Sequence, residues 1–561
     1  MSRFIDAILA TLQRVPQAPA IVQLGGAGTA QYTVSYGALD HACRAIQRAL
    51  GGKHAPGATL GLVAANSVRW IEADLALLLG GYVEVPVPLA FSAEQAAHLL
   101  SACSAVLTDE EGQRRFDAWR AAAPQAFAAI PCLRIDQLLG ASGAPLRRLS
   151  REDRVCKVIH TSGTTSKPKG VRIREHGLDA LLASLWQRAK QDDYTRYLNL
   201  VPFSLLIEQV TALYMPFMAG GCVVLPPVGE APLGDPGAVA ADKLALMQRA
   251  APSAMTLPPS LVEALAAAAD RVVASAVAHA GVDAALAEAE AAPPPQQAAL
   301  AAAAVAGCRG EHLCRALFGR TTPPLIAAGG APVAAATIER LARHGIPVLQ
   351  GYGLSENSSV VSWNTPRENR IGTVGKPLSH VECRLGSDGE LAIRSASLFA
   401  GYSGSDPSAC HTDADGWLWT GDLASIDADG YISIVGRKKN LIITAHGRNV
   451  SPEPAEASYR SVPGVADIVL LGEGAESLSA FVLTAAGADP ITLRARLQAH
   501  GERWLSGVER AADFVFETDA PALRQRLFTV TGRPRRQDIE SYVRSRRHAQ
   551  EQYQQGEHGA N

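Results

Sequence analysis

Residues 38–108 alternate between amphipathic helical runs and short apolar strand runs, and this alternation restricts the chain more than any other feature. ALDHACRAIQRAL (38–50) spaces its apolar residues as one helix face. TLGLVAA (59–65) is a strand, and Asn66 and Ser67 after it are placed to cap the helix SVRWIEADLALLLGG. YVEVPVP (82–88) is a second strand, ended by prolines. Helix SAEQAAHLLSAC (92–103) and strand AVLT (105–108) follow. Strands separated by helices pair in parallel, with the helices covering the sheet. The expected class is therefore α/β.

A chain of 561 residues exceeds one core. From about residue 436 the elements become short and mixed: NLIIT, VSPEPAEASYRSV, ADIVLLG, SAFVLTA, a helix near 491–505, and ADFVFET. The expected division is a large N-terminal domain, 1–435, and a small α+β domain, 436–561. The Ala-rich stretch 262–320, broken at Pro293–Pro295, reads as helical excursions on the surface of the large domain. The polar end RRHAQEQYQQGEHGAN is expected to fray.

Lys plus Arg number 52 and Asp plus Glu 54, which removes the electrostatic case for a nucleic-acid binder. The nine cysteines form no CxxC pair. They argue against a disulfide framework and for a reducing, cytoplasmic compartment. His312 lies near Cys308 and Cys314, but the spacing fits no structural zinc site, so no zinc is expected. MSRFIDAILATLQRV lacks the apolar core of a signal peptide and reads as an amphipathic helix. No uncharged apolar run reaches the ~20 residues that span a bilayer, which leaves peripheral membrane contact open.

The most informative segment is VIHTSGTTSKPKGVRI (158–173). A strand enters Thr161, Ser162, Gly163, Thr164, Thr165 and Ser166, and a second strand leaves after Lys169 and Gly170. Small residues let backbone N–H groups approach a polyphosphate, hydroxyls add donors, and Lys169 adds charge. The GxxxxGK[ST] spacing of a Walker loop fails here. The plainer alternative is a Ser/Thr-rich turn between two strands.

The spacing of Ser162, Gly163, Lys169 and Gly170 resembles the signature of the adenylate-forming superfamily, which includes acyl-CoA synthetases, luciferases and peptide-synthetase adenylation domains. Further blocks follow in that family's order, from about residue 30 to about 540. AAGGAP (327–332) resembles the adenine-pocket wall, which implicates Gly330, Ala331 and Pro332. GYGLSE (351–356) resembles the segment where Gly351, Tyr352 and Gly353 lie at adenine and Ser355 approaches a phosphate. The resemblance assigns Mg²⁺ to Glu356 and Thr161. IGTVGKP (371–377) and GELAIRS (389–395) match the structural stretch beyond. WLWTGD (417–422) ends in Asp422, implied to bind the ribose hydroxyls, and GRKKN (436–440) offers Arg437 to ribose or phosphate and Lys439 as a hinge.

The implied fold is a large multi-subdomain adenylation domain with a small mobile α+β lid. The implied chemistry is ATP-dependent conversion of a carboxylic acid to acyl-AMP, then thioester formation with coenzyme A. GRKKNLIITAHGRNVSPE (436–453) and LFTVTGRPRRQDIESYV (527–543) look most like long-chain fatty acyl-CoA synthetases. The apolar stretch 205–221 suits an aliphatic tail, although a buried helix is the commoner meaning of such a run. Two alternatives stand beside this reading. One delivers the acyl group to a carrier-protein phosphopantetheine or an amine. The other is a weakened nucleotide- or acyl-binding homologue.

That last alternative arises from a departure. Arg533 in FTVTGRPRR (528–536) occupies the position of a catalytic lysine in most relatives. Lys169, Glu356 and Arg533 are thus the expected catalytic residues. An arginine presents a planar fork where lysine presents a point charge. Arg535 and Arg536 read as a solvated basic loop. Leu205 stands where relatives often place histidine or an aromatic residue, Ser166 where glycine is commoner, and Asn440 where an acid is frequent. His160 reads as a strand-end side chain and His446 as an exposed turn residue.

Overall fold

A computed structural model describes residues 3–26, 31–140, 154–161, 169–230, 233, 239–278, 310–403, 412–529 and 533–558. The chain divides into two compact units: Met1–Cys383 with Ile393–Trp417, and Arg384–Ala392 with Leu418–Asn561.

In the first unit the strand–helix alternation closes as a six-stranded sheet, ordered Cys132–Arg134, Ala105–Thr108, Thr59–Val63, Val83–Pro86, Val155–Thr161, Lys169–Arg174. Its strands pair in parallel except the last, which turns back on Val155–Thr161. Ser67 caps the helix Val68–Gly80 by accepting from the Trp70 N–H at 3.2 Å, and Gly81 ends it in the left-handed conformation. Asn66 is not a cap. It binds Asn199, the Val201 carbonyl and the Phe203 N–H, and so pins the loop after the strand Arg196–Leu198. That strand belongs to a nine-stranded sheet, also in this unit, whose central members are parallel.

One expectation is corrected here. The flanks of the Ala-rich stretch are core, not surface. Leu261, Val262, Leu265, Ala266 and Ala269 of the helix Pro259–Ala278, and Leu313, Leu317 and Phe318 of the helix 310–318, are buried against the nine-stranded sheet. Alanine's small side chain lets that helix lie close, while Glu263 and Asp270 accept from Thr337 and Arg340. Residues 279–309 lie outside the described residues. The polar C-terminal stretch is not without regular structure: its described backbone is helical through His558, in the helix Arg536–His558. Glu, Gln, Arg and Ala there are all strong helix formers. The run 205–221 is a buried helix with a π-turn at Gln209–Tyr214. Tyr214 and Phe217 pack on Phe4 and Tyr36.

The second unit contains the three-stranded sheet Val465–Leu471, Leu478–Thr484, Ala511–Thr518. Its side chains alternate between two cores, as pleating requires. Ile468, Leu470 and Val482 face Tyr459, Leu493 and Leu497, and Val469, Phe481 and Leu483 face Leu527, Phe528 and Ile539. Among the described residues no helix is long and apolar enough to cross a membrane.

Candidate active site

The segment singled out for phosphate binding is the end of an antiparallel hairpin. Val155–Thr161 pairs with Lys169–Arg174 so that Thr161 faces Lys169 and His160 faces Gly170. Ser162, Gly163, Thr164 and Thr165 lie outside the described residues, as does the side chain of Thr161. A Cβ at Gly170 would stand 2.9 Å from Val158 Cγ1 and 3.0 Å from Ser403 Oγ, so only glycine lets the segment 400–403 lie along this strand. Backbone hydrogen bonds tie that edge: Arg172 N to Gly401 O at 3.1 Å and Ser403 N to Gly170 O at 2.7 Å.

This edge brings Tyr402 between two expected site residues. Lys169 Nζ stands over the Tyr402 ring, 5.2 Å from its centroid. The Tyr402 hydroxyl donates to Glu356 Oε1 at 2.8 Å. Phe399 N donates to the Glu356 carbonyl at 2.9 Å, and the Phe399 ring meets Tyr402 edge-on at 5.0 Å.

Glu356 sits in the short 3₁₀ turn Ser355–Asn357. The next two residues, Ser358 and Ser359, have φ of 52° and 111°, a region that non-glycine residues occupy at a cost of about 1–3 kcal/mol each. A buried polar network offsets it. Ser358 Oγ donates to Ser397 O at 2.7 Å, Ser397 Oγ to Asn357 Oδ1 at 3.0 Å, and Asn357 Nδ2 to Val360 O at 3.1 Å. His380 bridges Ser397 Oγ (2.8 Å) and Ser184 Oγ (2.7 Å), and burial lowers its pKa to about 4. The helix Glu175–Arg188 approaches this turn through Gly177, where a Cβ would stand 3.0 Å from Ser358 Oγ.

The other first-unit residues leave neighbouring parallel strands at their carboxyl ends. Ala328 pairs with Gln350, so Gly330, Ala331 and Pro332 follow one strand, while Gly351, Tyr352 and Gly353 continue the next, Val348–Leu354, where it pairs antiparallel with Ser359–Trp363, and Ser355 stands just beyond. Ligands of open α/β sheets bind at such ends. Gly330 has φ +85°, and a Cβ at Gly353 would strike the Ser359 carbonyl at 1.8 Å, so both positions favour glycine.

In the second unit Asp422 and Arg437 oppose each other across paired strands, and Arg437 Nε meets Asp422 Oδ1 at 2.7 Å. Glu390 braces this pair: it accepts from Gly421 N at 2.9 Å and from Lys438 Nζ at 2.8 Å. Lys439 is exposed in the 3₁₀ turn Lys438–Asn440. Asn440 Nδ2 donates to Glu453 Oε1 at 2.6 Å, so an acid here would face a second carboxylate. Arg533 is exposed, and its backbone meets Thr529: Thr529 N donates to Arg533 O at 2.8 Å and Arg533 N donates to Thr529 Oγ1 at 3.0 Å. Arg536 is not a solvated loop residue: both its terminal nitrogens bind the buried Glu456, at 2.7 and 2.8 Å.

A hard cation fits at Glu356. Mg²⁺ commonly takes one or two protein carboxylates with phosphate oxygens and water, and Glu356 offers a carboxylate that receives the Tyr402 hydroxyl on one oxygen. Sequence reasoning missed Tyr402, His380, Ser397 and Glu390. Each acts through a contact distant in sequence, and none belongs to a periodic pattern or a phosphate-loop spacing.

Glycines at the carboxyl ends of parallel strands in an α/β sheet are where proteins of this class take their ligands. The AMP-binding enzyme model matches residues 9–403, and the chain belongs to that family. It is 38% identical to the long-chain-fatty-acid–CoA ligase FadD15 of Mycobacterium bovis over 154 residues, 28% of this chain and 26% of that ligase. That stretch thus spans about a quarter of the relative's length. Among solved structures, the anthranilate CoA ligase AuaEII in complex with anthranoyl-AMP superposes with a TM-score of 0.76 at 18% identity, covering 96% of each chain. The o-succinylbenzoate coenzyme A synthetase of Bacillus subtilis, in complex with ATP and magnesium ion, gives 0.68 at 19% identity, covering 95% of this chain and 99% of that one. The fold is that of these ligases.

Proposed function

We propose that the protein activates a carboxylic acid, most simply a fatty acid, with ATP and transfers the acyl group to coenzyme A. The observation that carries this reading is the convergence of Lys169 and Glu356 on Tyr402 within an AMP-binding fold. The named relative is a long-chain-fatty-acid–CoA ligase, which favours an aliphatic acid and CoA.

In the first step a substrate carboxylate oxygen attacks the α-phosphorus and pyrophosphate leaves. No covalent protein nucleophile is needed, because in-line positioning and charge neutralisation carry the chemistry. Lys169 and the hydroxyls of Ser162, Thr164 and Thr165, with the N–H of Gly163, cradle the phosphates. Gly330, Ala331, Pro332, Gly351, Tyr352 and Gly353 flank adenine, Ser355 approaches a phosphate, and Asp422 with Arg437 takes the ribose. Glu356 and Thr161 would hold Mg²⁺, which would supply charge neutralisation at the phosphates. Arg533 reaches the carboxylate and phosphate in this state. In the second step a thiol sulfur attacks the acyl carbon and AMP leaves, after residues 436–561 rotate about Lys439 relative to 1–435.

A pyrophosphate–ATP exchange screen over acids of graded chain length tests the reading, repeated with Arg533→Lys. Acid-dependent exchange, followed by thioester formation with CoA, is the expected result. No exchange with any acid, despite measurable ATP binding, overturns it. Thioester on acyl carrier protein but not on CoA moves the acceptor. A large gain from lysine at 533 shows the arginine to be an impaired substitute.

A further inference from the structure

We infer that Tyr402 is a positioning residue that sets both Glu356 and Lys169 for the nucleotide, its hydroxyl acting on the first and its ring on the second. The inference rests on reading these two as the metal and phosphate contacts proposed above.

The geometry supporting it is specific. The tyrosine sits on one segment, 395–403, that is fastened at both ends. Toward the hairpin, Arg172 N donates to Gly401 O and Ser403 N to Gly170 O; toward the acidic turn, Phe399 N donates to Glu356 O, Ser358 Oγ to Ser397 O, and Ser397 Oγ to Asn357 Oδ1. The hairpin and the acidic turn, 187 residues apart when counted from Lys169 to Glu356, are therefore held in register by a third piece of chain.

Each half of Tyr402 has a separate task. The terminal torsion of a glutamate is soft, so without a donor its carboxylate has no fixed plane. A hydroxyl on Oε1 at 2.8 Å fixes that plane. A carboxylate offers about four acceptor sites, so one donor leaves room for a cation. Partners that orient a metal's ligand in this way typically matter 10- to 100-fold in metal affinity. The ring face attracts the Lys169 ammonium, but less strongly than a phosphate does. The ring thus holds the lysine near the turn and yields it to an anion. Because Tyr402 contacts both charges, it also keeps them from closing into an ion pair that would neutralise the site.

ATP binding by equilibrium dialysis, with and without Mg²⁺, separates the two tasks in the full-length protein. Tyr402→Phe keeps the ring and removes the hydroxyl. Its metal-free ATP affinity should stay within about twofold of wild type, while the Mg²⁺ concentration for half-maximal pyrophosphate exchange rises about 10-fold. Tyr402→Leu should in addition weaken metal-free ATP binding about 2- to 5-fold. Glu356→Gln is the control, and the double variant Tyr402→Phe/Glu356→Gln should be no worse than Glu356→Gln alone.

If Glu356→Gln changes the Mg²⁺ dependence and Tyr402→Phe does not, the positioning role is wrong and the reading of Glu356 stands. If Glu356→Gln leaves the Mg²⁺ dependence unchanged, the metal reading fails and the positioning role fails with it. A Tyr402→Phe protein that loses thermal stability and all ATP affinities in proportion shows a structural role only, and also overturns the inference.

Discussion

Two lysines on one hairpin are treated in opposite ways. Lys157 and Lys169 lie on its two strands. Lys157 is fully buried and binds the carboxylates of Asp74 and Glu84, while Tyr214 donates to Asp74 at 3.1 Å. Burial alone lowers the Lys157 pKa, but the two acids together overcome that and hold the ammonium charged. Burial pushes Glu84 well up, and Lys157 offsets it only in part. Lys169 is exposed, with an aromatic face beneath it. The hairpin therefore shows how a structural charge differs from one kept for a ligand. The first is compensated in place by groups that have no other use. The second meets a soft partner that a phosphate can displace.

The largest effect that can break this contrast is on stability. Lys157→Met leaves Asp74 and Glu84 buried without their cation and should cost about 3–5 kcal/mol in urea unfolding. A loss under 1 kcal/mol would mean that methionine repacks the cluster and that the ion group is dispensable. Lys169→Met should change stability by under about 0.5 kcal/mol, as an exposed substitution. It should nevertheless lower pyrophosphate exchange about 10²–10³-fold, or ~3 kcal/mol of transition-state stabilisation. A variant that loses stability and activity together would erase the distinction between the two lysines.

The contrast also explains what could be read before any coordinates. Patterns that depend on near neighbours were legible. Ser67 caps its helix, because its partner is three residues away. The parallel pairing followed from the strand–helix alternation, and the glycines at 170, 330 and 353 stand where close approach or positive φ requires them. What escaped depends on contacts that local order does not encode. Arg536 sits among arginines and looks solvated, yet it finds Glu456 80 residues away. Ala266, Ala268 and Ala269 of Pro259–Ala278 carry no strong apolar signal, although close packing buries them. Tyr402 is one of 12 tyrosines with nothing nearby in sequence to mark it.

Glu208 sharpens the comparison by removing the cation altogether. It is fully buried; Asn199 Nδ2 donates to it at 2.5 Å, and Tyr197 lies 3.4 Å away. Among the described residues no Lys or Arg pairs with it. Burial raises its pKa from 4.5 to about 8, so the folded protein keeps a proton that the unfolded chain releases. The Glu208 contribution to stability is then greatest below about pH 4.5 and falls as pH rises toward 8, at up to about 1.4 kcal/mol per pH unit. Glu208→Gln, which cannot ionise, should remove this slope. Urea unfolding of both proteins at pH 5 and 8 checks it, and parallel losses across that range would show that Glu208 titrates normally.

His380 is the mirror case, a half-buried base whose hydrogen-bond partners among the described residues are serines and not acids. Its pKa falls from 6.5 to about 4 through burial, so folding requires the neutral ring. The unfolded chain takes up a proton first. The His380 contribution is therefore complete above about pH 6.5 and is lost as pH falls toward 4. The opposite slopes of His380 and Glu208 overlap between pH 4.5 and 6.5, where each hides part of the other. The cleanest measurement is accordingly His380→Gln in the Glu208→Gln background, since an amide can still bridge Ser184 and Ser397. Between pH 7 and 5 the double variant should lose about 1–2 kcal/mol less stability than Glu208→Gln alone. Equal losses would mean that the ring protonates in the folded state without penalty. The serine network under the Glu356 turn would then tolerate a charge, and the turn's two left-handed serines would need another support.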